Sequence, residues 1–126
     1  MSDSILISTK KILGIAADYT AFDVDIITHI NSAFGTLTEL GIGPIEGFMI
    51  FDDTTTWDAY LQFDPRLNAV KTYVYLRVKL LFDPPTTSYL INSMKEQRQE
   101  LEWRLNVIRE YDTYPMPPVE EVAPWR

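Results

Sequence analysis

Apolar residues recur at helical spacing along most of the chain. The clearest pattern covers residues 23–40, where apolar side chains follow one another at intervals of four and three positions: Ile26, Ile30, Ala33, Leu37 and Leu40. This spacing is typical of one face of an amphipathic helix. Thr20 and Asp23 stand in a capping-box pattern at its start, and Gly41 is a stop signal at its end.

Two shorter segments have weaker patterns. Residues 3–13 fit either a first helix capped by Asp3 or Ser4, or a short strand, because Ile5, Ile7 and Thr9 are β-branched residues at alternate positions. Residues 55–61 predict a short helix capped by Thr55, with its apolar side chains at Trp57, Tyr60 and Leu61.

Between these helices, residues 41–53 break the helical pattern. Three glycines and Pro44 precede the apolar tetrad 48–51, and Asp52-Asp53 follow it. Because glycine and proline interrupt regular structure, this segment predicts a short irregular or extended loop.

Two long helices are predicted after residue 64. Asp64-Pro65 combines a capping carboxylate with a proline at the first helical position. The helix that it opens is apolar on nearly all sides up to Phe82, so we expect it at the centre of the fold.

Asp83-Pro84-Pro85 ends this helix. A last helix, capped within residues 86–88, then runs to about Glu110 with a near-heptad stripe at Ile91, Met94, Arg98, Leu101, Leu105 and Ile108. The pattern predicts an all-α small helical bundle with a long C-terminal helical hairpin.

From Tyr111 the sequence becomes rich in proline and aromatic residues. This change of composition divides the chain into a helical domain, 1–110, and an extended C-terminal arm, 111–126. Proline is frequent in the arm and does not fit helices or sheets. Such an arm reaches about 50 Å in polyproline form, so contact with a neighbouring molecule, folding back over its own bundle and disorder are the alternatives that the sequence leaves open. Its candidate binding residues are aromatic, apolar and proline: Tyr111, Tyr114, Pro115, Met116, Pro117, Pro118, Val119, Val122 and Trp125.

Composition and charge narrow the function classes. The 126 residues include 11 basic and 18 acidic side chains, for a net charge of −7, and no cysteine. The absence of cysteine excludes disulfide scaffolds, thiolate metal sites and thiol catalysis. An acidic chain is poorly suited to gripping a nucleic-acid backbone. The longest apolar run is interrupted by Lys71, Arg77 and Lys79, so we expect neither a membrane span nor a membrane partner.

The charge is unevenly distributed along the chain. Residues 1–64 hold 10 acidic and 2 basic side chains, whereas residues 65–110 hold 5 acidic and 8 basic ones. Either the two halves pack through complementary faces within one domain, or the acidic face of one copy meets the basic face of the next. Contacts of the second kind close into rings when their rotation permits.

Candidate chemistry is sparse. The single histidine, His29, lies among apolar positions of a predicted helix, and neither a nucleophile-elbow pattern nor a phosphate-binding glycine loop is present. Adjacent carboxylates such as Asp52 and Asp53 lack the spacing of a calcium loop. We therefore predict no catalytic residue, no cofactor and no metal site.

The sequence also offers more large apolar side chains than one small bundle needs. Four of them are candidate inter-subunit anchors, since aromatic and large aliphatic residues dominate protein interfaces: Phe48, Ile50, Trp57 and Trp103. An alternative use of this surplus is a helical protein-interaction or scaffold module that dimerises through the stripe at 91–108.

Several segments resemble the head-to-tail connector (adaptor) proteins of long-tailed, siphovirus-type actinobacterial phages. They are Gly47-Phe48, Thr56-Trp57-Asp58, residues 67–78, the Leu81-Phe82-Asp83-Pro84-Pro85 corner and the sequence Glu-Leu-Glu-Trp-Arg-Leu at 100–105. The resemblance covers about residues 1–110, and its most specific part is the corner together with the Glu-Leu-Glu-Trp-Arg-Leu sequence.

The resemblance implies a structural virion protein at the head-tail junction, made in the bacterial host cytoplasm. Such proteins form a ring of about a dozen copies beneath the portal protein and continue the DNA channel toward a head-tail stopper or tail terminator protein. DNA passes through without sequence-specific binding. An acidic wall suits such a channel because it repels phosphate. The channel-facing candidates are Glu39, Glu46, Asp52 and Asp53.

Overall fold

The computed structural model describes residues 3–62 and 64–113. In chain order these residues form α1 (Ile5–Ile12), α2 (Asp23–Glu39), α3 (Trp57–Leu61), the 3₁₀ helix η1 (Pro65–Asn68), α4 (Ala69–Phe82) and α5 (Ser88–Thr113). The described residues contain no strand beyond one isolated bridge between Ser4 and Thr56. The predicted all-α fold is confirmed, and residues 3–13 adopt the helical alternative.

Helix α4 lies between α2 and α5 and packs against both. It buries Val70, Tyr73, Val74 and Val78 completely, as expected of a helix that is apolar on nearly all sides. Helix α5 returns along α4 after the Pro84-Pro85 corner. The Tyr73 hydroxyl on α4 donates a hydrogen bond of 2.7 Å to Glu102 Oε2 on α5. The C-terminal helical hairpin is therefore confirmed.

The near-heptad stripe of α5 is used within the chain. Leu105 is fully buried, and Leu101 and Ile108 pack against the same core. Leu101, Leu105 and Ile108 are therefore already used by the chain's own core, so the predicted dimerisation stripe at 91–108 is not available to a second copy along its C-terminal part.

Three helix starts carry the caps that their sequences favour. Ser4 Oγ accepts from the Ile7 N–H at 3.2 Å, Asp64 Oδ1 from the Arg66 N–H at 3.0 Å, and Thr87 Oγ1 from the Leu90 N–H at 3.3 Å. Asp64-Pro65 opens the 3₁₀ turn η1, which leads directly into α4. Each cap satisfies a backbone donor that the helix itself leaves unpaired.

Two predicted caps are wrong. Phe22 occupies the N-cap position of α2 without a side-chain hydrogen bond, and Thr56 rather than Thr55 precedes α3. Thr20 therefore does not cap α2, and Asp23 does not complete a capping box, because its carboxylate pairs with Lys10 on α1 at 2.8 Å.

Residues 41–53 contain neither helix nor strand, as predicted. The Asn31 amide on α2 fixes the middle of this loop. Its Nδ2 donates to Ile50 O at 2.9 Å, and its Oδ1 accepts from Ile50 N at 2.8 Å. The loop end is joined to the start of the chain, because Ile5 N donates to Thr55 O and Trp57 N donates to Asp3 O, each at 3.0 Å.

Helix α5 continues beyond the predicted end at Glu110 and reaches Thr113. The placement of Tyr111 in an extended arm is therefore wrong, since this residue lies in the last turns of the helix and is exposed. Propensity alone could not place the end, because the first proline after the helix is Pro115. The remaining arm candidates lie outside the described residues: Tyr114, Pro115, Met116, Pro117, Pro118, Val119, Val122 and Trp125.

Candidate functional site

Two of the four predicted inter-subunit anchors belong to the chain's own core. Ile50 and Trp57 are 0% and 1% exposed. The Trp57 indole N–H donates to Ser8 Oγ at 2.9 Å, so its polar atom is satisfied inside the fold. The prediction that these two side chains anchor a neighbouring subunit is wrong for the folded chain, because no partner can reach them.

Phe48 has an intermediate position. Its ring packs edge-on against Phe34 and Tyr60, with centroid distances of 5.0 Å in both cases. The ring is half-buried, and its remaining surface lies at the edge of a groove.

Trp103 lies on the outer surface of α5 and is 67% exposed. Val107 and Tyr111 follow at intervals of four, so the three side chains form one apolar stripe about 12 Å long. We call these three residues the outer stripe. Two helical positions correspond to about 200° of rotation, so Trp103 and Leu105 point to opposite sides of α5. The helix therefore has one apolar face against α4 and a second one in solvent.

A groove lies between the outer face of α2 and the loop. It has a volume of about 470 Å³ and is lined by Asn31, Gly35, Thr38, Glu46, Gly47, Phe48 and Met49. The Asn31 clamp holds the loop extended beside the helix, so Ile50 points into the core while Met49 and Phe51 are exposed. We call this feature the Gly35 groove.

The four channel-facing candidates are all exposed: Glu39, Glu46, Asp52 and Asp53. The Thr54 hydroxyl and backbone N–H both donate to Asp52 and hold the pKa of its carboxyl below the usual range. No lysine or arginine occurs in the sequence between Lys11 and Arg66, but the fold places the Arg109 side chain of α5 beside Gly41. The orientation of the four acids toward a channel stays a prediction.

Sequence reasoning missed an aromatic cluster where α2 begins and α4 ends. Phe22 packs against Tyr19 and Phe82 at centroid distances of 5.7 and 5.4 Å, and the His29 ring lies 6.3 Å from that of Phe82. Tyr19 and Phe22 remain partly exposed. Only the chain reversal at 13–22 brings these residues together, so no local spacing indicated the cluster.

Residues 3–62 and 64–113 were compared with the arrangements that metal sites and membrane-spanning helices require. No group of three or more acidic or histidine side chains there is arranged to hold a metal ion. In the same residues, no helix combines the length and apolar character needed to cross a membrane. The features that stand out are the two apolar surfaces and the exposed acids at positions 39, 46, 52 and 53.

A family model described as phage connector protein matches residues 5–112 of the 126-residue chain. The chain belongs to the phage connector family. The connector is thus a structural component of a bacteriophage particle, and the resemblance seen in the sequence is confirmed at the level of the family. The assignment of this connector to long-tailed phages of actinobacteria stays a prediction. Neither the curated proteins nor the solved structures contain a significant match to this connector.

Proposed function

We propose that this connector forms a closed ring of about a dozen copies that joins the portal protein to the tail. Family membership over residues 5–112 carries the proposal. The structure adds two apolar surfaces on different elements, the Gly35 groove beside α2 and the outer stripe on α5. Two different surfaces on one chain suit head-to-tail contacts, which generate rings rather than twofold dimers.

The ring would continue the DNA channel without sequence-specific binding. The exposed acids Glu39, Glu46, Asp52 and Asp53 support this role, because a wall of negative charge repels phosphate and lets DNA slide. Below the ring, the expected neighbour is a head-tail stopper or tail terminator protein. Synthesis takes place in the host cytoplasm, and the working location is the virion. No enzymatic role is proposed.

Residues 114–126 are proposed to bind the portal protein or the next subunit. Prolines limit the chain entropy lost on binding, and Tyr114, Met116 and Trp125 supply apolar contacts. Tyr111 belongs instead to the outer stripe of α5.

Light scattering and negative-stain imaging of the purified connector test the ring. Closed rings of about a dozen copies are the expected result. A stable twofold dimer across a wide concentration range would contradict the proposal and favour a scaffold module.

A truncation after Thr113 tests the C-terminal segment. We expect loss of co-purification with the portal protein, with the helical circular dichroism signal and the melting temperature unchanged. A matched control keeps the chain length but replaces Tyr114, Met116 and Trp125 by serine, and it should bind as weakly as the truncation. Portal binding at the wild-type level by both variants would exclude this segment as the anchor.

A further inference from the structure

A second groove lies where the end of α5 meets the loop after α2. Two adjoining cavities, of about 240 and 590 Å³, share Gly43, Asp64 and Leu67 in their linings, so they form one groove. Its lining runs from the late turns of α5 to the loop and α3 and includes Gly43, Ile45, Tyr60, Leu67, Ile108 and Arg109. We call this feature the Gly43 groove.

The walls of the Gly43 groove are fixed by contacts within the fold. Gly43 has a φ of +84°, and a Cβ built there would lie 2.6 Å from the Tyr60 hydroxyl oxygen. Gly41 has a φ of +82°, and its backbone lies directly against the Arg109 side chain. Between the two glycines, Ile42 is buried and its N–H donates to Leu37 O at 2.9 Å. The groove is therefore formed before any ligand arrives, which lowers the entropy cost of binding.

The groove offers apolar surface together with backbone donors. Ile45 is 97% exposed, and Leu67 and Ile108 are half-buried. Within residues 3–62 and 64–113, the N–H groups of Ile45 and Glu46 make no hydrogen bond. Grooves with an aromatic lining bind proline-rich segments. A polyproline-type backbone has no internal hydrogen bonds, so its carbonyls are available to such donors.

We propose that residues 114–119 of the same chain occupy the Gly43 groove before the connector binds a partner. Helix α5 ends at Thr113, four residues and about 6 Å beyond Arg109 in the groove lining. The six residues that follow, Tyr-Pro-Met-Pro-Pro-Val, reach about 19 Å in polyproline form. They therefore start within about one helical turn of the groove and can extend along it.

Composition and chain connection select this occupant. Residues 114–119 carry no charge, so their burial removes no ionised group from water, whereas Glu120 and Glu121 would have to lose their hydration. A segment tethered beside its binding site has an effective concentration in the millimolar range, which favours it over a separate copy.

The contact is made by a single chain, so it goes beyond the proposed ring and does not require it. The same residues are proposed to bind the portal protein or the next subunit. The groove and the partner therefore compete for this segment, and the intrachain contact limits binding until a partner displaces it.

Hydrogen exchange at the amides of Ile45 and Glu46 tests the contact in the full chain. If the segment binds with a dissociation constant of about 0.1 mM, exchange should be about tenfold slower than in Tyr114→Ser combined with Met116→Ser. Val122→Ser, outside residues 114–119, is the matched control and should exchange like the wild type. Equal exchange in the wild type and the double variant would overturn the proposal.

Dilution distinguishes the same chain from a second copy. Slow exchange at these amides should persist on dilution, because a contact within one chain does not depend on concentration. Slow exchange that disappears on dilution would assign the groove to another copy and would also overturn the proposal.

A variant of the groove tests the contact from the other side. Ile45→Ser changes only an exposed side chain, so we expect a native melting temperature and faster exchange at the Glu46 amide. Since the segment itself is intact and its competing contact is weakened, the portal protein should bind this variant up to about tenfold more tightly. Thr86→Ser, at the exposed hairpin corner, is the matched control and should behave like the wild type. Exchange and portal affinity at wild-type levels in Ile45→Ser would exclude the groove as the binding site.

Failure of this contact and failure of the proposed function give different results. If the amides exchange alike in all variants and the connector binds the portal protein, only the intrachain contact is wrong. If the amides are protected and no portal binding is detected, the intrachain contact stands and the proposed portal binding by residues 114–126 is wrong.

Discussion

Lys10 and Asp23 form an ion pair of 2.8 Å that joins α1 to the first residue of α2. Lys10 is 1% exposed and also donates to the carbonyls of Ala17 and Tyr19 at 3.0 and 2.7 Å. One ammonium group therefore fixes both the start of α2 and the chain reversal before it. This reversal also places Tyr19 and Phe22 in the aromatic cluster with Phe82.

Replacing Lys10 should destabilise the connector strongly. We expect Lys10→Met to lower the free energy of unfolding by about 2 to 3 kcal/mol, since it leaves two carbonyls and a half-buried carboxylate without their donor. Urea denaturation measures the change. Lys11→Met, at the exposed neighbouring position, is the matched control and should stay within about 0.5 kcal/mol of the wild type. Equal stability of the two variants would show that the ammonium group does not hold the reversal.

Asn31 should control the order of the loop at 48–51. Asn31→Ala removes both hydrogen bonds to Ile50, so we expect a loss of about 2 kcal/mol and faster hydrogen exchange at the Ile50 amide. Asn31→Asp keeps the acceptor for this amide but loses the donor, so its exchange should be slower than in the alanine variant. The same exchange rate in both variants and in the wild type would mean that core packing of Ile50 alone fixes the loop.

Two buried tyrosines should make the connector sensitive to alkali. Burial raises the pKa of Tyr60 to about 12, and burial together with the hydrogen bond to Glu102 raises the pKa of Tyr73 to about 12. Unfolded tyrosine titrates near 10, so both groups are protonated in both states below that pH. Between pH 10 and 12 the unfolded chain loses protons that the folded chain retains, and stability falls as the pH rises.

Thermal melting across this pH range provides the measurement. The melting temperature should be nearly constant from pH 7 to 9 and fall above pH 10. Tyr73→Phe should lower stability at pH 7 by about 1 to 3 kcal/mol, because Glu102 loses its donor, and should make the alkaline decline shallower. Tyr89→Phe, at an exposed position, should change neither quantity. An alkaline decline as steep in Tyr73→Phe as in the wild type would contradict the role of this hydroxyl.

The proline corner should prevent α4 and α5 from fusing. Pro84→Ala combined with Pro85→Ala removes two helix breakers between them, so we expect a continuous helix that places α5 on another copy. Light scattering should then detect a domain-swapped dimer. Pro65→Ala, at the start of η1, is the control and should keep the native mass. A double variant with native mass and melting temperature would show that packing against α4 holds the corner.

The sequence alone predicted the helices and their order, because helix periods and proline or glycine breakers act locally. It also placed α4 at the centre, since a helix that is apolar on nearly all sides has to be covered on several faces. The same patterns also identified two of the four inter-subunit candidates, Trp103 and Phe48, that keep exposed surface in the fold. Trp103 lies off the core stripe of α5, and Phe48 follows a glycine in a broken segment.

Contacts between residues distant in sequence were decided only by the tertiary structure. Trp57 looked like a surplus aromatic, but its indole is buried in the core and its N–H donates to Ser8, 49 positions earlier. The apparent capping role of Asp23 was lost to Lys10, and the link from Asn31 to Ile50 spans 19 positions. The groove over Gly35 also exists only because this link holds the loop beside α2. Such pairs depend on chain reversals, which periodicity does not encode, so the helices could be predicted from the sequence and the surfaces between them required the fold.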